Sequence, residues 1–281
     1  MPVCHIPGYT TPLYYETAGP VSRPVLLFVH GVAEHGVIWQ PVIELLSQDY
    51  YCIAVDLPGH GGSMNFRGNW SMNFYAQVLR KFMETMQLRE VTLVAHSMGA
   101  QISAVLALQV SVYINAMIWV SPAGAETFSE KEAKLLKNFT TQYWESPPPE
   151  DLVTEKLKSH FSFSANLGVF IPKLAKYHAP EIAKNFKEVV IYSVSGMLDE
   201  PVHAYLPQLK MPVHVLIGER DLLVPNRWLH PALTPQHILD EAKRLLPNCR
   251  TSLVKNAGHF LPVEQPEVLA DAVRGIKRDT V

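Results

Sequence analysis

The sequence predicts an α/β fold: a mostly parallel central sheet with helices on both faces and an inserted α-helical cap. Three observations predict it. Short apolar runs recur along the 281-residue chain with helical stretches between them. The central runs are apolar on both faces, as strands covered by helices on each side require. One interval between successive runs is about ninety residues long and shows helical periodicity with no convincing core strand.

Taken in order, LYYET (13–17) reads as an early, edge-like strand. VLLFV (25–29), YCIAV (51–55), VTLVA (91–95) and AMIWV (116–120) follow as central strands, and VHVLI (213–217) and TSLVK (251–255) complete the set. Helices are expected near 38–47, 71–87, 98–110, 236–246 and 264–277 from apolar residues at helical spacing. The long interval opens at Ser121-Pro122 and closes near Pro207 to Pro212, prolines that suit an excursion from the sheet and a return. Four helices are expected inside it, over about 129–144, 150–160, 165–176 and 181–198. The chain therefore divides into a core of residues 1–121 and 210–281 and a helical cap, or lid, of residues 122–209. The cap holds eleven aromatic residues. Individually these serve to pack a small helical domain; together they suit an apolar ceiling over a site. Trp144 and Phe163 are the cap's candidates for substrate contact.

Composition removes several function classes. A net charge of −2 and a pI near 6.6 give no general attraction to nucleic acid or to anionic membranes. The three cysteines lack regular spacing, which points to free thiols and not to a disulfide frame or a zinc site. The first residues, MPVCHIPGYTTPLYY, have neither a basic start nor an apolar core, and no apolar stretch reaches membrane-spanning length. A cytoplasmic protein without integral membrane association is the expectation, and no oligomerisation signal stands out. The sequons at Asn69 and Asn138 are then chance matches. No Gly-x-Gly-x-x-Gly follows the first strand, no phosphate-binding Gly-x-x-x-x-Gly-Lys occurs, and His and Cys show no metal-ligand spacing. Neither a cofactor nor a metal is expected.

The chemistry concentrates in VTLVAHSMGAQISAVLALQ (91–109). A buried strand turns into a helix within His96, Ser97 and Met98, leaving a serine at the apex. Small Ala95 and Gly99, two residues to either side, let strand and helix approach closely and tolerate strain at the apex. A serine hydroxyl is a weak nucleophile at its own pKa and needs a base and an exposed perch; this turn supplies the perch. The N-terminus of the following helix offers the free N–H of Met98 where an oxyanion would form.

At these residues the chain resembles the α/β-hydrolase superfamily, specifically its serine esterases and lipases with a helical cap. The family's usual pattern is Gly-x-Ser-x-Gly, and Ala95 at its first position is a departure also found in some lipases of that fold. The resemblance covers essentially the whole chain and implies the order Ser, acid, His. Asp221, in Gly218-Glu219-Arg220-Asp221 after VHVLI, is the acid of choice because it follows the strand by four residues; Glu219 and, from the cap, Asp199 are its rivals. His259, in Asn256-Ala257-Gly258-His259-Phe260 after TSLVK, resembles the family's catalytic-histidine segment. The implied roles are Ser97 as nucleophile, His259 as general base and then acid, and Asp221 fixing the imidazole tautomer. Phe260, beside His259, joins Trp144 and Phe163 as a substrate-binding candidate. The second oxyanion donor is implied at the backbone N–H of Val32, after Phe28-Val29-His30-Gly31, with His30 holding the loop. The continuation Ala33-Glu34-His35-Gly36 resembles the loop of monoacylglycerol lipases and small esterases. Asp56 and His60, in Asp56-Leu57-Pro58-Gly59-His60-Gly61, read as scaffold, and His96 as part of a wall.

The expected function is cofactor-independent hydrolysis of small to medium, rather hydrophobic carboxylic esters through an acyl-enzyme. A carbon–carbon bond hydrolase or a lactonase would use the same triad. A different class, a non-turnover small-molecule binder, is also built on this fold. The complete triad with both oxyanion positions speaks against that class.

Overall fold

The computed structural model describes residues 2–146, 149–162, 168, 170–172 and 180–276. Eight strands form one sheet: β1 Val3–Cys4, β2 Leu13–Ala18, β3 Val25–Val29, β4 Tyr51–Val55, β5 Val91–His96, β6 Ile114–Val120, β7 Val213–Gly218 and β8 Cys249–Val254. Their order across the sheet is β1-β2-β4-β3-β5-β6-β7-β8. Strand β2 runs antiparallel to β1 and β4, and the remaining neighbours are parallel. Every apolar run that reads as a strand forms one. Only β1 has no counterpart among those runs.

Period-two alternation distributes the central strands between two cores. Leu27 and Val29 of β3, Leu93 and Ala95 of β5 and Met117 and Trp119 of β6 face one layer. Leu26, Phe28, Val94, Ala116 and Ile118 face the other. Helices α2 (Met72–Thr85), α3 (Met98–Val110) and α7 (Pro235–Leu245) cover the first face. Helices α1 (Gln40–Leu46), α8 (Leu261–Glu264) and α9 (Pro266–Gly275) cover the second. Each fully buried Leu, Ile, Val or Phe side chain contributes roughly 1.5–3 kcal/mol, so the strands are held by both faces at once.

Between β6 and β7 the described residues leave the sheet and form α4 (Glu130–Glu145), α5 (Glu150–Ser159) and α6 (Pro180–Asp199). The start of α4 is written in Ser129-x-x-Glu132: the serine accepts the Glu132 N–H and the glutamate accepts the Ser129 N–H. Helix α6 is tied to the sheet layer by Tyr75 Oη and Ser193 Oγ at 2.8 Å and by the Gln101 amide donating to the carbonyls of Met197 and Glu200. The helix expected over 165–176 lies mostly outside the described residues, as does Phe163.

Candidate active site

Ser97 sits where β5 passes directly into α3, with φ 51° and ψ −117°. A non-glycine residue in that conformation costs about 1–3 kcal/mol and persists only where its surroundings impose it. The surroundings are visible. The Ser97 N–H donates to Val120 O at 2.9 Å, and its carbonyl accepts from Ala100 and Ala123. At Gly99 an added Cβ would lie 2.4 Å from Val29 O and 2.7 Å from His30 O, so β3 and α3 approach only because that side chain is absent. The geometry agrees with a turn built from small residues.

Asp221 and His259 meet across two other strand ends. His259 Nδ1 lies 2.9 and 3.1 Å from the Asp221 carboxylate oxygens. Asp221 is held in turn: its Oδ1 accepts the N–H groups of Leu223 and Val224 at 2.8 and 3.0 Å. Both residues are buried. For His259 burial works against the charged form, but the charge and hydrogen bond of Asp221 outweigh it and raise the pKa above the ordinary histidine value. For Asp221 burial pushes upward, and the neighbouring imidazole together with the backbone donors draws the pKa below the ordinary carboxylate value. With Nδ1–H given to Asp221, the neutral ring presents its lone pair at Nε2.

Ser97, His259, Phe260 and Val32 line one cavity of about 610 Å³. Among the described residues Ser97 Oγ has no hydrogen-bond partner, and Ser97 borders the cavity. Met98 is buried as the first residue of α3, which leaves its N–H at the unpaired start of the helix. The inserted helices and the loops that flank them contribute an apolar wall, including Phe128, Leu136, Phe139, Met197 and Leu198. Trp144 does not touch this cavity. It lines a neighbouring one of about 240 Å³ and packs edge-on against Phe186, at 5.7 Å between ring centroids. The face of α4 that carries Trp144 is turned toward α6, so its aromatic mass is used in helix packing.

The remaining polar residues hold loops. His30 accepts the Leu57 N–H at Nε2 and faces Gly31 O through Nδ1, and burial pushes its pKa far down, so it stays neutral. Asp56 accepts from the N–H groups of Gly36 and Gly62 at 2.7 Å. Three acids escape a reading of the sequence. Glu264 accepts the N–H groups of Gly258 and Ser162, joining the His259 loop to the segment that follows α5. Glu126, on the cavity wall, accepts from Asn226 and pairs with His230; burial raises its pKa despite that pairing. Glu34 pairs with His96. The signal for Glu264 is its place in Leu261-Pro262-Val263-Glu264, directly after the histidine loop; Glu126 has none. Glu34, His96 and His259 bring one ligating atom each within 4.8 Å of one another. Glu34 and His96 already commit those atoms to hydrogen bonds, so the trio is a hydrogen-bonded cluster and not an open ligand set.

Known proteins share the fold. The human monoacylglycerol lipase ABHD6 is 22% identical over 265 residues, spanning 90% of this chain and 75% of the lipase. The pimeloyl-acyl-carrier-protein methyl ester esterase of Aliivibrio salmonicida is 27% identical over 232 residues, 79% of this chain and 82% of the esterase. Among solved structures, an enol-lactonase from Burkholderia xenovorans superposes with a TM-score of 0.78 at 17% identity, covering 98% of this chain and 99% of that one. A family model described as the alpha/beta hydrolase fold matches residues 24–266. A sheet in this strand order, with that match over most of its length, makes the chain a hydrolase of the α/β-hydrolase family.

Proposed function

We propose that the protein is a serine hydrolase that cleaves small to medium hydrophobic carboxylic esters through an acyl-enzyme. The observation that carries the reading is the pairing of His259 Nδ1 with Asp221 in the wall of the same cavity as the strained Ser97. In the first half-reaction Ser97 Oγ attacks the ester carbonyl carbon while its proton passes to His259 Nε2. The carbonyl oxygen gains the electron pair and is met by the N–H groups of Met98 and Val32. Collapse of that intermediate expels the alcohol, which takes the proton from His259. A water molecule then repeats the sequence on the acyl-serine, releasing the acid and restoring Ser97.

The substrate class follows from the cavity. Its volume is within the range of small-molecule sites, and its wall is mainly apolar, with Ser97, His259 and Glu126 among its polar members. We assign residues 122–209 the role of a cap whose apolar residues set the size of the ester accepted. The relatives named for ester cleavage support the choice of bond, and the fold alone does not select among esters, lactones and carbon–carbon bonds. No helix among the described residues is long and apolar enough to cross a membrane. The test is turnover on a panel of chromogenic esters, lactones, amides and diketones, with Ser97→Ala as control. The proposal expects ester turnover that disappears in the variant. Turnover confined to diketones or lactones, or none by folded protein, would overturn it.

A further inference from the structure

Beside His259 lies a polar pair that has no part in the bond-making steps of ester cleavage, and Glu34 also borders the cavity. Glu34, 3% exposed, follows β3, and His96, fully buried, immediately precedes Ser97. The Glu34 carboxylate accepts the Gly31 N–H at 2.7 Å and lies 2.9 Å from His96 Nδ1. On the opposite side of the ring, His96 Nε2 lies 2.9 Å from the backbone oxygen of His259. The rings of Trp39 and Phe260 flank it, and the His259 ring is tilted against it at 4.7 Å between centroids.

Donor and acceptor inventory narrows what this pair can be. A backbone carbonyl only accepts, so His96 Nε2 carries a hydrogen. A carboxylate also only accepts, so Nδ1 carries one too. The short bond from Gly31 suits an ionised carboxylate. With a hydrogen on one nitrogen alone, Nδ1 would have to accept from a protonated Glu34 carboxyl, and the Gly31 N–H on the same carboxyl group favours its ionised form instead.

We propose that Glu34 and His96 form a buried carboxylate–imidazolium strut, with His96 donating from both ring nitrogens, that positions His259 and the Gly31–Val32 loop around Ser97. The strut joins three segments distant in sequence. It fixes the N–H of Gly31 beside the Val32 donor, the residue before the nucleophile, and the carbonyl of His259. The His259 peptide is gripped at both ends, since its N–H donates to His160 O at 3.0 Å. Neither Glu34 nor His96 takes part in bond making, so both are positioning residues. The kinetic consequence rests on the serine-hydrolase reading; the protonation claim does not.

The test uses the full chain with ¹⁵N-labelled histidine at pH 8, with the His96 signals assigned by their loss in His96→Gln. Wild type is expected to show both His96 ring nitrogens protonated. In Glu34→Gln the amide oxygen still accepts from Gly31 while its N–H donates to Nδ1, so Nδ1 should lose its hydrogen. A wild-type His96 with one bare ring nitrogen overturns the strut. On the ester turned over best, Glu34→Ala should lower kcat by about 100-fold, the scale of a small misplacement in an active site, with KM held within about threefold. Glu34→Gln should recover to within about tenfold of wild type. Wild-type kcat in Glu34→Ala, or a glutamine variant as poor as the alanine variant, also overturns it. Should Glu34→Ala fail to fold, the wild-type spectrum and the glutamine variant decide. A doubly protonated His96 in a protein that turns over no ester would leave the strut standing and remove the ester reading instead.

Discussion

The Asp221→Asn substitution exchanges one carboxylate oxygen for an NH₂ group, and the structure dictates where that group settles. Asp221 Oδ1 accepts from the backbone of Leu223 and Val224, at 2.8 and 3.0 Å. The oxygen of the introduced amide must keep that place, because an NH₂ there would oppose two donors. The NH₂ group then occupies the Oδ2 position, 2.9 Å from His259 Nδ1. It can only donate, so Nδ1 becomes the acceptor and the ring hydrogen moves to Nε2. That tautomer has no lone pair for the Ser97 proton. The loss should be about 10⁴ in kcat, or roughly 5.4 kcal/mol of transition-state stabilisation, with the fold intact. Steady-state kinetics on a chromogenic ester, with far-UV circular dichroism as the folding check, measures it. Glu219→Gln should stay within about threefold of wild type, since a surface substitution away from the site has little effect. An Asp221→Asn enzyme retaining a tenth of wild-type activity, or a larger loss in the Glu219 variant, would refute the reasoning.

Three further outcomes follow from the same geometry. Because Asp221 raises the His259 pKa, the protonated and inactive ring persists to higher pH than free imidazole; the acid limb of kcat/KM should lie above about 6.5 and activity should fall as pH drops through it, which a pH–rate profile checks. Gly99→Ala places a Cβ against Val29 O and His30 O; urea unfolding should show a loss of about 1–3 kcal/mol, and an unchanged midpoint would mean the close approach is not needed. Phe128→Ala, in the cavity wall, should shift preference toward bulkier esters, whereas Trp144→Ala should leave preference alone and cost about 3 kcal/mol of stability; the reverse pattern in a substrate-length series would contradict the assignment of the two cavities.

Much of this molecule is legible in its sequence because its strands are buried on both faces. VLLFV, YCIAV and AMIWV carry their signal in consecutive residues, and no distant partner is needed to read them. The turn at Ser97 is legible for the same reason, since Ala95, Ser97 and Gly99 record a local steric demand. Strand β1 is not legible: two residues paired with Leu13 and Tyr14 have too short a span for periodicity. Trp144 shows a different limit. Sequence identifies an aromatic residue in the inserted helices but not which side of α4 meets α6, and that orientation puts Trp144 on the smaller cavity and against Phe186. Glu34 and Glu264 show a third. Their partners, His96 and Ser162, lie 62 and 102 residues away, and a single carboxylate reaching across the fold does not reveal its partner along the chain, even where, as for Glu264, its neighbours mark its place.

Ser97 as a nucleophile activated by His259 is the central claim, and covalent labelling tests it most directly. Intact protein would be treated with a fluorophosphonate, digested, and its adduct located by mass spectrometry. A single modified serine, Ser97, is predicted, with labelling abolished in Ser97→Ala and slowed as strongly in His259→Ala as in Asp221→Asn. Folded protein that takes up no probe, or that carries it on a different serine, would contradict the claim.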